Sequence, residues 1–174
     1  ALRATTQPGD TVAVESPTFH GALQLLSSLG LHALEIPTSP VHGLSVPALE
    51  LALRTHAPPI RAVLVMPTVH NPLGCSMPDE KKAALVVLCA RHDVALIEDN
   101  NYSPMDARQV HSRPAKAWDT NGGVIYCASL NKILAPGMRI GWMLAGRWQA
   151  RVEMLKYTQS RFPEELGQRV LARF

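Results

Sequence analysis

One lysine in this chain stands where a free amine could do covalent chemistry. Lys132 lies in Ser129-Leu130-Asn131-Lys132-Ile133-Leu134-Ala135-Pro136-Gly137-Met138-Arg139-Ile140-Gly141-Trp142, between apolar runs at 124–128 and 140–145. Hydroxyl and amide side chains precede it, a Pro-Gly turn follows, and Arg139 comes seven residues on. Such a set can hold an anion while one amine stays free for covalent work. Asp99 ends an apolar run in Ile97-Glu98-Asp99-Asn100-Asn101-Tyr102, and Asn71 sits in His70-Asn71-Pro72-Leu73-Gly74. Each has a plainer reading: Lys132 as a solvated loop lysine, Asp99 as a strand-end turn residue, Asn71 as an Asn favouring a turn before Pro. Phe19, in Pro17-Thr18-Phe19-His20-Gly21, would by itself be a core aromatic.

The elements that must position these residues alternate along the chain. Short apolar runs at 11–15, 31–37, 62–66, 94–98, 124–128 and 140–145 predict six strands, the last two flanking the lysine loop. Helical spacing predicts helices over 21–29, stopped by Gly30, and over 47–56. Ser76 with Asp79 three positions on reads as a capping signal for a helix running to about His92. Residues 147–162 look helical as well. Strands separated by helices imply an α/β fold: a mainly parallel sheet covered on both faces, with functional loops at the carboxyl ends of its strands.

The chain has 174 residues, 47% apolar and 18% charged, enough for a real core and without a disordered or fibrous bias. Its net charge of +3 comes from scattered basic residues and makes no case for nucleic-acid binding within this segment. Cys75, Cys89 and Cys127 show no metal-like pairing and read as reduced, mostly buried thiols of a cytoplasmic protein. No apolar run reaches membrane-spanning length. The sequence starts mid-pattern at Ala1-Leu2-Arg3-Ala4, which suggests a fragment.

The segment Ser129-x-Asn131-Lys132-x-Leu134-Ala135-Pro136-Gly137-x-Arg139-x-Gly141-Trp142 resembles the cofactor-lysine segment of the class I/II aminotransferases, the fold-type I enzymes dependent on pyridoxal 5′-phosphate. It is most similar to the version in the aminotransferase-like domain of MocR-type GntR regulators and their stand-alone relatives. The resemblance covers nearly the whole chain. It implies the large domain of that fold, with one antiparallel strand and in incomplete form: residues 1–174 as a partial cofactor-binding domain, and 147–174 as the start of helices leading to a further domain.

The resemblance also assigns roles. Lys132 would bond covalently to the cofactor and afterwards move a proton at the substrate α-carbon. Asp99 would pair with the pyridine nitrogen, and Tyr102 and Asn71 would reach the ring hydroxyl. Phe19 would stack on the ring, and Ser129, Asn131 and Arg139 would hold the phosphate, with Asn131 standing where the family usually has serine. Where family members commonly carry Asp-Pro, this chain has Asn100-Asn101. The implied partners are amino-acid and 2-oxo acid substrates and a second copy of the full-length protein, with no membrane; a winged-helix module upstream could bring DNA.

Three functional readings stay open at this point: an aminotransferase, the sensing domain of a regulator, or an inactive piece of either. In the resembling fold the last strand has a neighbour that the segment does not supply, so the isolated chain is expected to self-associate through that edge.

Overall fold

Successive residues of a strand point to opposite sides of a sheet, so the unbroken apolar runs of this chain demand cover on both faces. The computed structural model, which describes residues 1–106, 112–162 and 164–173, supplies it. Strands β1 (Thr11–Ser16), β2 (His32–Ser39), β3 (Gly43–Leu44), β4 (Ile60–Val65), β5 (Ala95–Asp99), β6 (Val124–Ser129) and β7 (Gly141–Leu144) form one sheet in the order β3-β2-β1-β4-β5-β6-β7. Pairing is parallel from β2 through β6 and antiparallel at the two ends, β2 with β3 and β6 with β7. The two-residue β3 was not expected from the sequence, being too short to leave a periodicity.

The helices are α1 (Leu2–Thr5), α2 (His20–Ser28), α3 (Val46–Thr55), α4 (Asp79–Arg91), α5 (Gln149–Ser160) and α6 (Glu165–Leu171). Ala13, Val63, Val65, Leu96 and Val124 pack on one face with Leu49 of α3 and Leu85, Val86, Leu88 and Cys89 of α4. Their strand neighbours Val12, Val14, Ala62, Ala95, Ile97 and Ile125 pack on the other with Leu2 of α1 and Leu26 of α2. The alternation of odd and even strand positions between two cores is the physical content of the apolar runs.

One expectation needs correction. Ser76 does not cap α4: the helix starts at Asp79 with Pro78 as its N-cap, and acidic Asp79 and Glu80 occupy the first turn, where the helix dipole favours them. The Ser76 hydroxyl instead accepts from the Val69 amide at 3.0 Å and donates to Asp106 at 3.2 Å, tying two loops together. For the last strand the sequence reading holds: β7 has a partner on one side alone among the described residues. Trp142 and Leu144 are 47% and 52% exposed, and β7 is the sheet edge among the described residues.

Buried charge holds the loops at the carboxyl ends of β4 and β5. Lys82 falls on the apolar stripe of α4, in line with Leu85, Val86 and Cys89, and is fully buried. Its ammonium donates to the Thr68 hydroxyl at 3.3 Å, the Arg113 carbonyl at 2.9 Å and the Ser112 hydroxyl, with an Asp79 oxygen 3.7 Å away. Burial pulls its pKa down, and Asp79 and Glu98 oppose that pull. Glu98, also fully buried, accepts from the Ala115 and Lys116 amides, each at 2.9 Å. Burial raises its pKa against those two amides and the Lys82 charge.

Asp119 secures the entry to β6. It accepts from the Gly123 amide at 2.9 Å, the Val124 amide at 3.1 Å and the Lys116 ammonium at 2.7 Å. Burial works to raise its pKa, but Lys116 and the two amides outweigh it and hold the carboxyl below its ordinary value.

Two outcomes follow for measurement. Lys82→Met keeps the aliphatic stem and removes the ammonium; it should cost about 2–4 kcal/mol in denaturant unfolding and speed amide exchange around residues 66–70 and 112–116. Asp119→Asn should cost about 1–3 kcal/mol at neutral pH. Because the folded carboxyl titrates below its unfolded value, the Asp119 contribution is complete above the ordinary value of about 3.9 and fades as pH falls through the folded one. Stability curves of variant and wild type should therefore draw together in acid; a gap as wide in acid as at neutral pH would show that the carboxylate charge is not what Asp119 contributes.

Candidate active site

The chain leaves β1 for β2 on one side and later returns to β4 on the other. Loops that follow β1 and β4 therefore part company at their carboxyl ends, and open α/β sheets bind ligands in the crevice left there. The predicted residues gather around this end of the sheet. Phe19 follows β1 as the N-cap of α2, Asn71 lies on the loop after β4, Asp99 is the last residue of β5, and Tyr102 opens a short 3-10 turn at Ser103–Met105. Ser129 ends β6, and Asn131 and Lys132 occupy the turn that follows.

A cavity of 670 Å³ opens beside these ends, with walls from Leu25, Leu64, Ile97 and Met143. Phe19 and Asp99 both line it; Ser129 at the end of β6, and Asn71, Tyr102, Asn131, Lys132 and Arg139 on the loops, do not. The Phe19 ring folds over Gly21, where a Cβ would sit 2.5 Å from the ring, and meets the His20 ring edge-on at 4.8 Å. Glycine at 21 thus allows the aromatic ring to lie at the cavity wall.

Asp99 is the electrostatic feature of the cavity. Its Oδ1 accepts from the Asn101 amide at 3.3 Å and from Asn101 Nδ2 at 2.5 Å, while Oδ2 has no hydrogen-bond partner among the described residues. Burial raises the pKa of its carboxyl; the two Asn101 donors pull it back, and the Glu15 charge raises it further. Cys127 lies opposite on β6, a cavity-lining thiol whose pKa burial pushes up to about 11.

The lysine loop is closed at its base. Leu130 donates to the Ile140 carbonyl at 3.0 Å, and Ser129 lies opposite Gly141 in the β6–β7 ladder. A Cβ at Gly141 would come within 2.7 Å of the Ala128 carbonyl, so only glycine lets β7 approach Ser129 this closely. Lys132 and Arg139 are exposed, and the Asn131 Oδ1 is buried without a hydrogen-bond partner among the described residues. Arg139 adopts φ 52°, the left-handed region that a residue with a side chain seldom enters.

The Asn71 turn rests on His70 and, beneath it, on Glu15 of β1. The Gly74 amide donates to the His70 carbonyl at 2.6 Å, and the Leu73 amide donates to His70 Nδ1 at 3.3 Å. With Nδ1 accepting, the ring proton belongs on Nε2, which lies 3.2 Å from Glu15 Oε2 with both side chains 1% exposed. That same oxygen takes the Met66 amide at 2.7 Å. Glu15 thus ties β1 to the chain leaving β4 through the Met66 amide, and His70 Nε2 comes near the same oxygen without making a hydrogen bond among the described residues. An acidic residue inside an apolar strand was the available signal.

Among the described residues no group of three or more His, Cys, Asp or Glu is placed to hold a metal ion, and no helix is long and apolar enough to cross a membrane.

Comparison with known proteins agrees with this geometry. The family model for aminotransferase class I and II matches residues 1–173. The chain is 41% identical to the uncharacterized HTH-type transcriptional regulator YjiR of Escherichia coli, over 100% of this chain and 37% of that one. It is 36% identical to aromatic-amino-acid aminotransferase 1 of Thermococcus litoralis, over 82% of this chain and 35% of the relative. The crystal structure of Pyrococcus horikoshii kynurenine aminotransferase superposes with a TM-score of 0.87 at 32% identity, covering 95% of this chain and 42% of that one. The chain thus spans little more than a third of the curated relatives it matches. With a sheet whose end strand turns antiparallel, a desolvated aspartate at the end of β5 and a lysine turn after β6, the chain belongs to the class I and II aminotransferases.

Proposed function

We propose that this chain is the pyridoxal 5′-phosphate-binding part of a domain that, in the whole protein, moves an amino group between an amino acid and a 2-oxo acid. The observation that carries the reading is Asp99: a desolvated carboxylate with one open oxygen, lining a largely apolar cavity that Phe19 also lines. Such a wall suits a flat heteroaromatic ring with a protonatable nitrogen. The exposed Lys132 amine and Arg139 guanidinium on the neighbouring loop suit an aldehyde and a phosphate.

When bound, the cofactor supplies an electron-accepting ring that stabilises the charge left at a substrate α-carbon. In this reading Asp99 keeps the ring nitrogen protonated, which is what makes the ring electron-accepting. Asn71 and Tyr102 would donate to the ring hydroxyl oxygen, and Phe19 would cover the ring face and exclude water. Ser129, Asn131 and Arg139 hold the phosphate. Lys132 would hold the cofactor covalently, its amine condensing with the aldehyde with loss of water, and as a free amine would carry a proton to and from the substrate α-carbon. The substrates are amino acids and 2-oxo acids, and the whole protein acts as a homodimer.

A second reading has its own support: the match to the HTH-type regulator YjiR runs through the entire chain. In that case the same cofactor site serves as the sensing part of a DNA-binding protein. Amino-transfer assays and cofactor-dependent DNA binding by the full-length protein separate the two.

Borohydride reduction of the full-length protein with bound cofactor, followed by peptide mapping, should place the pyridoxyl group on Lys132; a label on Lys81, Lys82 or Lys116 would sink the assignment. Asp99→Asn should keep that label while slowing α-proton exchange by about two orders of magnitude or more. Exchange at the wild-type rate in this variant would mean that the ring nitrogen is paired elsewhere.

A further inference from the structure

Asp99 does not present its carboxylate unaided. A carboxylate on a strand end can turn about its last torsion, and its two oxygens are equivalent until something distinguishes them. Here Asn101 distinguishes them, placing two donors on Oδ1: its backbone amide at 3.3 Å and its Nδ2 at 2.5 Å. The orientation of the Asn101 amide is fixed by charge, since turning its oxygen toward the carboxylate would set two acceptors against each other. Both residues line the cavity, and Oδ2 is left without a partner among the described residues. The backbone donor alone would make an ordinary turn, whereas the shorter side-chain bond fixes the carboxylate plane.

We propose that Asn101 is a positioning residue, whose side-chain amide locks Oδ1 of Asp99 so that Oδ2 remains the acceptor for the ring N–H of a pyridine-type ligand in the cavity. The proposal rests on the cofactor reading above and adds a residue to it. The charged and titratable groups around Asp99 are few: Glu15 on β1 acts on it, Cys127 faces it from β6, and Arg3 and Lys156 line the same cavity from α1 and α5. None of these is recorded donating a hydrogen bond to the carboxylate among the described residues, so Asn101 is the group that orients it.

The test compares two ligands on the full-length protein: pyridoxal 5′-phosphate and its 1-deaza analogue, in which a ring C–H replaces the nitrogen. Asn101→Leu should weaken binding of pyridoxal 5′-phosphate about tenfold, the worth of one charge-assisted hydrogen bond, and change the affinity for the deaza analogue by less than about twofold. Asn101→Gln, which keeps a donor amide, should recover part of the loss. The deaza affinity doubles as a check on folding, since a collapsed site would lose both ligands. Equal losses for both ligands, or no loss for either, would overturn the role of Asn101. Equal affinity of the wild-type protein for the two ligands would overturn the ring-nitrogen reading itself, and the Asn101 assignment with it; the wild-type measurement alone separates that failure from the first.

Discussion

A fully buried ammonium needs oxygen acceptors around it or it sheds its proton and destabilises the fold, and Lys82 turns that requirement into architecture. Its acceptors come from separate parts of the chain: Thr68 after β4, Ser112 and Arg113 before β6, and Asp79 on its own helix. Glu98, at the end of β5, draws in the amides of Ala115 and Lys116 next to them. Ordinary loops at strand ends would be free to move with respect to one another. These are held from beneath by paired charges, and the residues that line the cavity on the other face inherit that order.

The two sides of the sheet therefore divide the work. One face carries the buried polar layer of Glu15, His70, Lys82, Glu98 and the Asn100–Tyr126 pair, in which Asn100 donates to the Tyr126 hydroxyl at 3.1 Å. The other carries the apolar cavity and the lone desolvated carboxylate of Asp99. Neighbouring strand residues Glu98 and Asp99 point to opposite sides and meet opposite fates: the first is satisfied by backbone amides, the second keeps an oxygen without a partner among the described residues. An alternation of one residue along β5 separates the buried support from the cavity wall.

Much of this was legible in the sequence, for reasons that can be stated residue by residue. Apolar runs that end at Ser16, Asp99 and Ser129 mark strand ends, and the side chains just beyond an end are the ones that reach a crevice, which is how Phe19, Asp99 and Lys132 could be placed. What was not legible depends on partners distant in the chain. The Glu15 carboxylate meets the Met66 amide across 51 residues, and Lys82 meets Ser112 across 30, separations that no local period encodes. Ser76 misled for the same reason: a hydroxyl three residues before an acid looks like a cap until a neighbouring loop claims it. The roles given to Asn71, Tyr102 and Arg139 came from resemblance, and the ring and phosphate contacts they would make belong to the proposal.

Two of the four described non-glycine residues in the left-handed region, Val69 and Arg139, stand beside the residues of interest, one next to the Asn71 turn and one on the lysine loop. For a β-branched valine and for arginine this conformation costs on the order of 1 kcal/mol or more, which glycine would not incur. The sequence therefore has headroom: a search for heat resistance alone would favour glycine at both positions. At 139 that choice would discard the one guanidinium of the 129–142 segment. Consensus or computational stabilisation of this domain would, at that position, select against the anion contact proposed for Arg139.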